Sequence, residues 1–158
     1  SFGWYEKDVK KIEEMIDTYR SFNEKNHQQK VDTFNNAQKT LKTLKEHGYL
    51  IGVVSSKMHK YVKLGLEQND LLQYIDIIGS DEVQKHKPDP MPLNEALKTL
   101  KVMPKNAAYI GDHPNDIIAA KAANLQAIGV SYSIHYDQLL AEKPDVVVDD
   151  LEKLLYIF

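Results

Sequence analysis

Apolar and polar positions follow two different periods along this chain, and the two periods take turns. Short runs that are almost entirely apolar, such as "YLIGVVSS" and "PDVVVDD", predict strands buried on both faces, because such strands have no extended polar side. Between these runs, apolar residues recur every three or four positions among charged ones, which predicts amphipathic helices. Strands that alternate with helices in this way predict an α/β protein with a parallel sheet.

The predicted core is a Rossmann-like three-layer sandwich, in which helices cover both faces of the parallel sheet through right-handed crossovers. Its strands are expected at residues 50–54, 74–78, 107–110, 126–132 and 144–150. Its helices are expected at residues 31–47, 57–68, 90–100, 114–123 and 151–158. Ahead of them, helical spacing of apolar residues predicts a further helix over residues 4–25, and the polar stretch 23–30 is either a hinge or more exposed helix.

Polar side chains collect where two of these strands end and in the loop between them. Ser55 and Ser56 follow the first strand, and Lys87 lies in a loop before a helix. Asp112 closely follows the third strand, and Asp116 falls in the first turn of the next helix. Ligands of open parallel sheets bind beyond the carboxyl ends of the strands. Hydroxyl groups, a lysine and two carboxylates at one such crevice are the groups that a phosphoryl group with Mg²⁺ requires.

Each of these residues also has a purely structural interpretation. Ser55 and Ser56 fit a cap at a strand-to-helix turn, and Lys87 fits a solvated loop. Asp116 is favoured in a first helical turn by the helix dipole alone. Asp112 is harder to explain in this way, since a carboxylate so close to the end of a buried strand points into the crevice. The set taken together therefore carries more information than any single member.

Composition narrows the classes of partner and compartment. The chain of 158 residues has a net charge of −3, so no basic field favours a nucleic-acid partner. It contains no cysteine, which excludes disulfides and thiolate chemistry and agrees with a reducing compartment. No apolar run approaches the roughly 20 residues that span a bilayer, and no signal-peptide pattern is seen. We expect a cytoplasmic protein that binds neither nucleic acid nor membrane.

Three segments, in order, resemble the haloacid dehalogenase-like hydrolase superfamily, most closely its phosphoglycolate phosphatase and pyrophosphatase branch. The segment "IGVVSSK" is similar to the family's second motif, "KHKPDPMPL" to its third and "YIGDHPNDI" to its fourth. The similarity extends from about residue 31 to the C-terminus. It implies that residues 31–158 are the family's core domain and that residues 1–30 are a remnant of its helical cap.

The resemblance implies a magnesium-dependent phosphatase that hydrolyses a small phosphorylated metabolite or pyrophosphate through an aspartyl-phosphate. Ser55 would hydrogen-bond a phosphoryl oxygen, with Ser56 close to the same group. Lys87 would bind the phosphate as well and neutralise both the nucleophile and the transferred group. Asp112 would coordinate Mg²⁺, and Asp116 would support the metal shell. The implied catalytic residues are thus Ser55, Lys87 and Asp116, and the implied metal residues are Asp112 and Asp116.

One part of the family pattern is missing, namely its first motif. That motif, Asp-x-Asp-x-Thr at the end of the first strand, supplies the nucleophile and the general acid and base. No such segment occurs in the 158 residues, so the central strand of the sheet is expected to be missing from this chain as well. The chain alone is then expected to be inactive, because only positioning and electrostatics are left.

Several explanations of this departure stay open. The chain is part of a longer enzyme, or it recruits a strand from another copy or chain in a strand-swapped or complemented assembly, or it is a degenerate relative that binds phosphate or a partner without catalysis. A phosphomutase is a further alternative, because mutases share these motifs and differ chiefly in the cap. A receiver-like signalling domain is not favoured, since no strand-end Asp available for phosphorylation precedes Ser55.

Overall fold

The computed structural model describes residues 27–79 and 83–158 of the chain. The helix expected at residues 4–25 lies outside these residues, as does most of the expected cap remnant, residues 1–30. Within the described part, none of the helices combines the length and the apolar character needed to cross a membrane.

Helices and strands alternate through the described residues, which confirms the α/β prediction. The α-helices are α1 His27–Glu46, α2 His59–Gln68, α3 Met91–Leu100, α4 Pro114–Ala122 and α5 Tyr136–Ala141. The strands are β1 Gly52–Val53, β2 Ile77–Ile78, β3 Ala108–Gly111, β4 Gln126–Val130 and β5 Val146–Val148. Short 3₁₀-helices span Leu72–Tyr74, Pro104–Asn106 and Leu151–Tyr156.

Several elements differ from their predicted bounds. The first strand is only Gly52–Val53, and the second begins at Ile77, because Leu72–Tyr74 forms a 3₁₀-turn instead of strand. The pattern does not predict α5, since its 6 residues are too few to display a helical period. The closing helix is a 3₁₀-helix, and its buried residues Leu151 and Leu154 share one face because this helix has about three residues per turn.

All described strand pairs are parallel, but they form two sheets instead of one. β1 pairs with β2, and β3, β4 and β5 pair in that order. The Tyr109 hydroxyl of β3 donates a hydrogen bond to the carbonyl oxygen of Val54, just after β1, at 3.1 Å. Among the described strands, the carboxyl ends of β1 and β3 are therefore joined by a side chain and not by a strand ladder.

The last strand of each sheet is fixed in register by an aspartate that directly precedes it. The Asp76 backbone N–H donates to the Ile51 carbonyl at 2.8 Å, and the Asp76 carboxylate accepts from the Ile51 N–H at 2.7 Å. Asp145 makes the same pair of hydrogen bonds with Ala127, at 2.8 and 2.7 Å. Because both backbone groups of one partner residue are bound, a shift of either strand by one position breaks two hydrogen bonds.

The core lies on both faces of the larger sheet. Tyr109 and Ala127 pack in one cluster with buried side chains of α3, α4 and α5. The alternate residues Ile110 and Ile128 pack in another cluster, with Ala37 of α1 and the closing 3₁₀-helix. Successive residues of a strand point to opposite faces, so β3 and β4 are covered by helices on both sides, as the predicted three-layer arrangement requires.

Candidate active site at the carboxyl ends of β1 and β3

Lys87 and Asp116 form a buried ion pair. The Lys87 Nζ donates to Asp116 Oδ1 at 2.7 Å, and only 7% and 1% of the two side chains are exposed. The residues are 29 positions apart, one in the loop before α3 and the other in the first turn of α4. The structure thus brings together two predicted site residues, and the alternative of a solvated loop lysine does not apply to Lys87.

Asp116 also closes the N-terminus of α4. Its Oδ2 accepts a hydrogen bond from the His113 backbone N–H at 3.2 Å, while His113 Nδ1 accepts one from the Asn115 N–H at 3.1 Å. This reciprocal arrangement is a capping box. The two carboxylate oxygens of Asp116 therefore accept different hydrogen bonds, one from the N-terminus of α4 and one from Lys87.

Tyr109 is a member of this site that the sequence pattern does not reveal. Its hydroxyl lies 3.1 Å from Lys87 Nζ and 3.1 Å from the Val54 carbonyl oxygen, and its side chain is fully buried. In the sequence, Tyr109 looks like one more large apolar residue of a core strand. The available signal is chemical, because a buried tyrosine hydroxyl needs a hydrogen-bond partner.

Ser55 lies at the end of β1, next to the carbonyl that Tyr109 binds. It is buried, and its Oγ accepts a hydrogen bond from the Lys57 backbone N–H at 3.1 Å, so it does form the turn expected between strand and helix. Ser56 is exposed beside it. The predicted phosphate-binding hydroxyls thus lie on a turn that is connected to Lys87 through Val54 and Tyr109.

Asp112 is positioned by the loop that follows β4. Its carboxylate belongs to a buried residue, and its backbone carbonyl accepts a hydrogen bond from the hydroxyl of Ser133, which is also buried. The Ser133 Oγ in turn accepts from the His135 N–H at 2.9 Å. Ser133 is a second residue that the sequence pattern misses, because a serine in a loop after a strand gives no signal of a partner 21 positions away.

The donor set at this place fits a hard cation that keeps much of its water. Within the described residues, no group of three or more His, Cys, Asp or Glu side chains is assembled to enclose a metal ion. Asp112 and Asp116 are the buried carboxylates here, and Asp116 also accepts hydrogen bonds from Lys87 and the His113 N–H. Mg²⁺ is commonly held in this way, by one or two carboxylates, water and phosphate oxygens.

Comparison with the sequences of known proteins identifies a family and relatives of this chain. A family model described as haloacid dehalogenase-like hydrolase matches residues 3–130. Pyrophosphatase PpaX of Bacillus mycoides (strain KBAB4) is 36% identical over 152 residues, which covers 95% of this chain and 71% of that protein.

Solved structures agree with this result. A protein described as a predicted phosphoglycolate phosphatase from Haemophilus somnus superposes with a TM-score of 0.72 at 30% identity, covering 77% of this chain and 55% of that one. The β-phosphoglucomutase from Clostridium difficile superposes with a TM-score of 0.67 at 27% identity, covering 77% of this chain and 53% of that one. The chain thus spans little more than half the length of these solved relatives.

Proposed function

The chain belongs to the haloacid dehalogenase-like hydrolase family, and from this membership we propose that it forms most of the phosphate site of a magnesium-dependent phosphatase. The substrate is a small phosphorylated metabolite or pyrophosphate. The observation that carries the proposal is the buried Lys87–Asp116 pair, which Tyr109 connects to the turn that holds Ser55. A buried ammonium linked through Tyr109 to a turn that carries hydroxyl groups is suited to a phosphoryl group.

Each residue has a specific role in this proposal. Ser55 and Ser56 bind phosphoryl oxygens through their hydroxyl groups. The Lys87 ammonium balances the negative charge that phosphoryl transfer concentrates at the site. Asp116 holds that ammonium in place and supports the metal shell. Asp112 coordinates Mg²⁺, which when bound polarises the phosphoryl oxygens.

The nucleophile is not among these residues. The 158 residues contain no Asp-x-Asp-x-Thr segment, so the aspartate that forms the aspartyl-phosphate must come from chain outside them or from another molecule. We propose that the isolated chain binds phosphate but does not turn it over. A cytoplasmic location remains a prediction from the sequence.

Binding of inorganic phosphate to the 158-residue chain tests this proposal without requiring turnover. We expect ³¹P NMR to detect phosphate binding in the presence of Mg²⁺ and Lys87→Met to weaken it about tenfold or more, because a charge-assisted hydrogen bond contributes roughly 1.5–3 kcal/mol. Lys98→Met, on the exposed side of α3, is the matched control and should not change the affinity. Equal affinity in the wild type and Lys87→Met would remove Lys87 from the site.

Turnover is tested in a chain that also carries the nucleophile segment. There, Asp112→Asn should abolish Mg²⁺-dependent phosphate release from a generic aryl phosphate, and unchanged release would remove Asp112 from the metal site. The likeness to a β-phosphoglucomutase supports a second candidate, phosphoryl transfer within a sugar phosphate. A mutase returns a phosphate ester, whereas a phosphatase releases inorganic phosphate. A chain with the nucleophile segment that does neither is a non-catalytic phosphate-binding module.

A further inference from the structure

The Tyr109 hydroxyl contacts both the Lys87 ammonium and the Val54 carbonyl oxygen. We infer that Tyr109 is a positioning residue, whose hydroxyl fixes the direction of the Lys87 ammonium and couples it to the end of β1. The inference rests on the proposed phosphate site. It adds Tyr109, to which the sequence analysis assigns no role. Tyr109 itself touches no substrate and acts through Lys87.

The geometry around the hydroxyl is directional. The hydroxyl has one proton, which it donates to the Val54 carbonyl oxygen at 3.1 Å, so its lone pairs face the Lys87 ammonium, which donates to it at 3.1 Å. Hydrogen bonds in such a chain polarise one another, and a hydroxyl that donates to a carbonyl becomes a better acceptor. The ring is fully buried in the core cluster that includes Val54, Leu93 and Ile117, so the hydroxyl has a fixed position.

Two anchors define the ammonium better than one. Asp116 holds the end of this flexible lysine side chain from the first turn of α4, at 2.7 Å. The Tyr109 oxygen provides a second point on a different element, β3, and thereby restricts the direction in which the ammonium points. Groups that handle a reacting phosphoryl need to be placed within about 0.5 Å, so this restriction matters for binding geometry.

The same hydroxyl connects the three predicted site segments. Tyr109 is on β3, three residues before Asp112. Its two partners are Val54, which directly precedes Ser55, and Lys87, in the loop before α3. β1 and β3 belong to separate sheets among the described strands, so no backbone ladder between them fixes their relative position. The Tyr109 hydroxyl therefore sets the distance between the ammonium and the serine turn.

A double-mutant cycle distinguishes positioning from simple structural support. Tyr109→Phe keeps the ring and removes the hydroxyl, and we expect it to raise the dissociation constant for inorganic phosphate with Mg²⁺ by about threefold, less than Lys87→Met does, because the ammonium is kept but is less well directed. In a Lys87→Met background the same change should have no further effect, because Tyr109 acts only through Lys87. Equal losses in both backgrounds, or no loss in the wild type, would overturn the inference. If Lys87→Met does not fold, Lys87→Met with Asp116→Asn provides the background.

A second readout does not depend on phosphate. The ¹⁵N NMR signal of the Lys87 ammonium, assigned by its loss in Lys87→Met, reports how freely that group rotates. We expect its order parameter to fall in Tyr109→Phe and to stay unchanged in Tyr49→Phe, which alters a buried tyrosine of a different core cluster. An unchanged order parameter in Tyr109→Phe contradicts positioning. A changed order parameter in a protein that binds no phosphate instead refutes the proposed function and leaves the contact with Lys87 established.

Discussion

Gly111 lies so close to Asp116 that a Cβ atom on residue 111 would be 2.2 Å from the Asp116 Cβ and 2.6 Å from its Oδ2. Glycine is therefore the residue type that fits at position 111. Non-bonded carbon atoms approach one another to about 3.5 Å. The nearest atom is the Asp116 Cβ, which cannot move away by a side-chain rotation. The end of β3 and the first turn of α4 are therefore in direct contact. This close approach places the Asp116 carboxylate against residue 111, where it binds the Lys87 ammonium.

Gly111→Ala should accordingly damage both stability and the site. We expect a loss of about 2 kcal/mol or more in the free energy of unfolding, because overpacking costs roughly 1–3 kcal/mol and Asp116 has no room to yield. Phosphate binding should weaken as well, since the displaced carboxylate releases Lys87. Urea denaturation and ³¹P NMR measure the two effects.

Gly65→Ala is the matched control for this prediction. Gly65 lies inside α2, and a Cβ there meets nothing within 4 Å. Alanine is preferred over glycine in a helix by about 0.5–1 kcal/mol, so this variant should be more stable than the wild type and bind phosphate equally well. Similar behaviour of the two variants would show that the contact at residue 111 does not constrain the fold.

Lys87→Met should destabilise the protein strongly, apart from its effect on phosphate. Removing one partner of a buried ion pair typically costs about 3–5 kcal/mol, because the other charge is left uncompensated. Adding Asp116→Asn should recover part of this loss. The free energy of unfolding from urea denaturation tests both statements.

The exposed pair of Lys39 and Glu152 is the control for the buried one. Their side chains are 67% and 39% exposed at a distance of 3.2 Å. Lys39→Met should change stability by no more than about 0.5 kcal/mol, as is usual for surface pairs. A cost for Lys87→Met as small as this would mean that water reaches the Lys87–Asp116 pair.

Asp145→Ala should loosen the outer edge of the larger sheet. The Asp145 carboxylate accepts the Ala127 N–H at 2.7 Å, and a hydrogen bond to a charged group contributes roughly 1.5–3 kcal/mol. Hydrogen exchange of the Ala127 amide should become faster, and the free energy of unfolding should fall. Asp149→Ala, at the exposed far end of β5, should leave the exchange of Ala127 unchanged, and an effect of equal size there would contradict a specific role for Asp145.

Ser133→Ala should weaken Mg²⁺ binding without removing any predicted metal residue. The Ser133 hydroxyl holds the backbone carbonyl of Asp112, and loss of such outer contacts commonly lowers metal affinity by about 10-fold or more. The Mg²⁺ concentration needed for half-maximal phosphate binding should rise accordingly. Ser131→Ala, just after β4, is the control, and an equal shift in both variants would point to a general loosening of this loop.

The sequence predicts the architecture well because the spacing of apolar residues reflects which faces of each helix and strand are buried. The runs that become β3 and β4 are buried on both faces, and their bounds are within two residues of the prediction. Prediction is poorer for β1 and β2, where runs of five residues predicted as strand each yield a strand of 2 residues. Strand length depends on which neighbour is available for pairing, and a run of apolar residues does not contain that information.

For the candidate site, the sequence provides a set of candidate residues but does not predict which of them are in contact. Lys87 and Asp116 are both expected, whereas their direct ion pair depends on a contact across 29 positions. Tyr109 and Ser133 escape notice because each acts through one hydroxyl, in a context typical of core strand and of loop respectively. Such contacts depend on the relative placement of several elements, which periodicity does not specify.

The Lys87–Asp116 pair also determines the net charge at the crevice. Lys87, Asp112 and Asp116 together carry one excess negative charge, because the pair contributes one charge of each sign. A dianion that enters alone meets repulsion, and a divalent cation that enters alone has an incomplete shell. Each ion should therefore raise the affinity for the other by the same factor, as thermodynamic reciprocity demands, and titrations in either sequence should report one cooperative event.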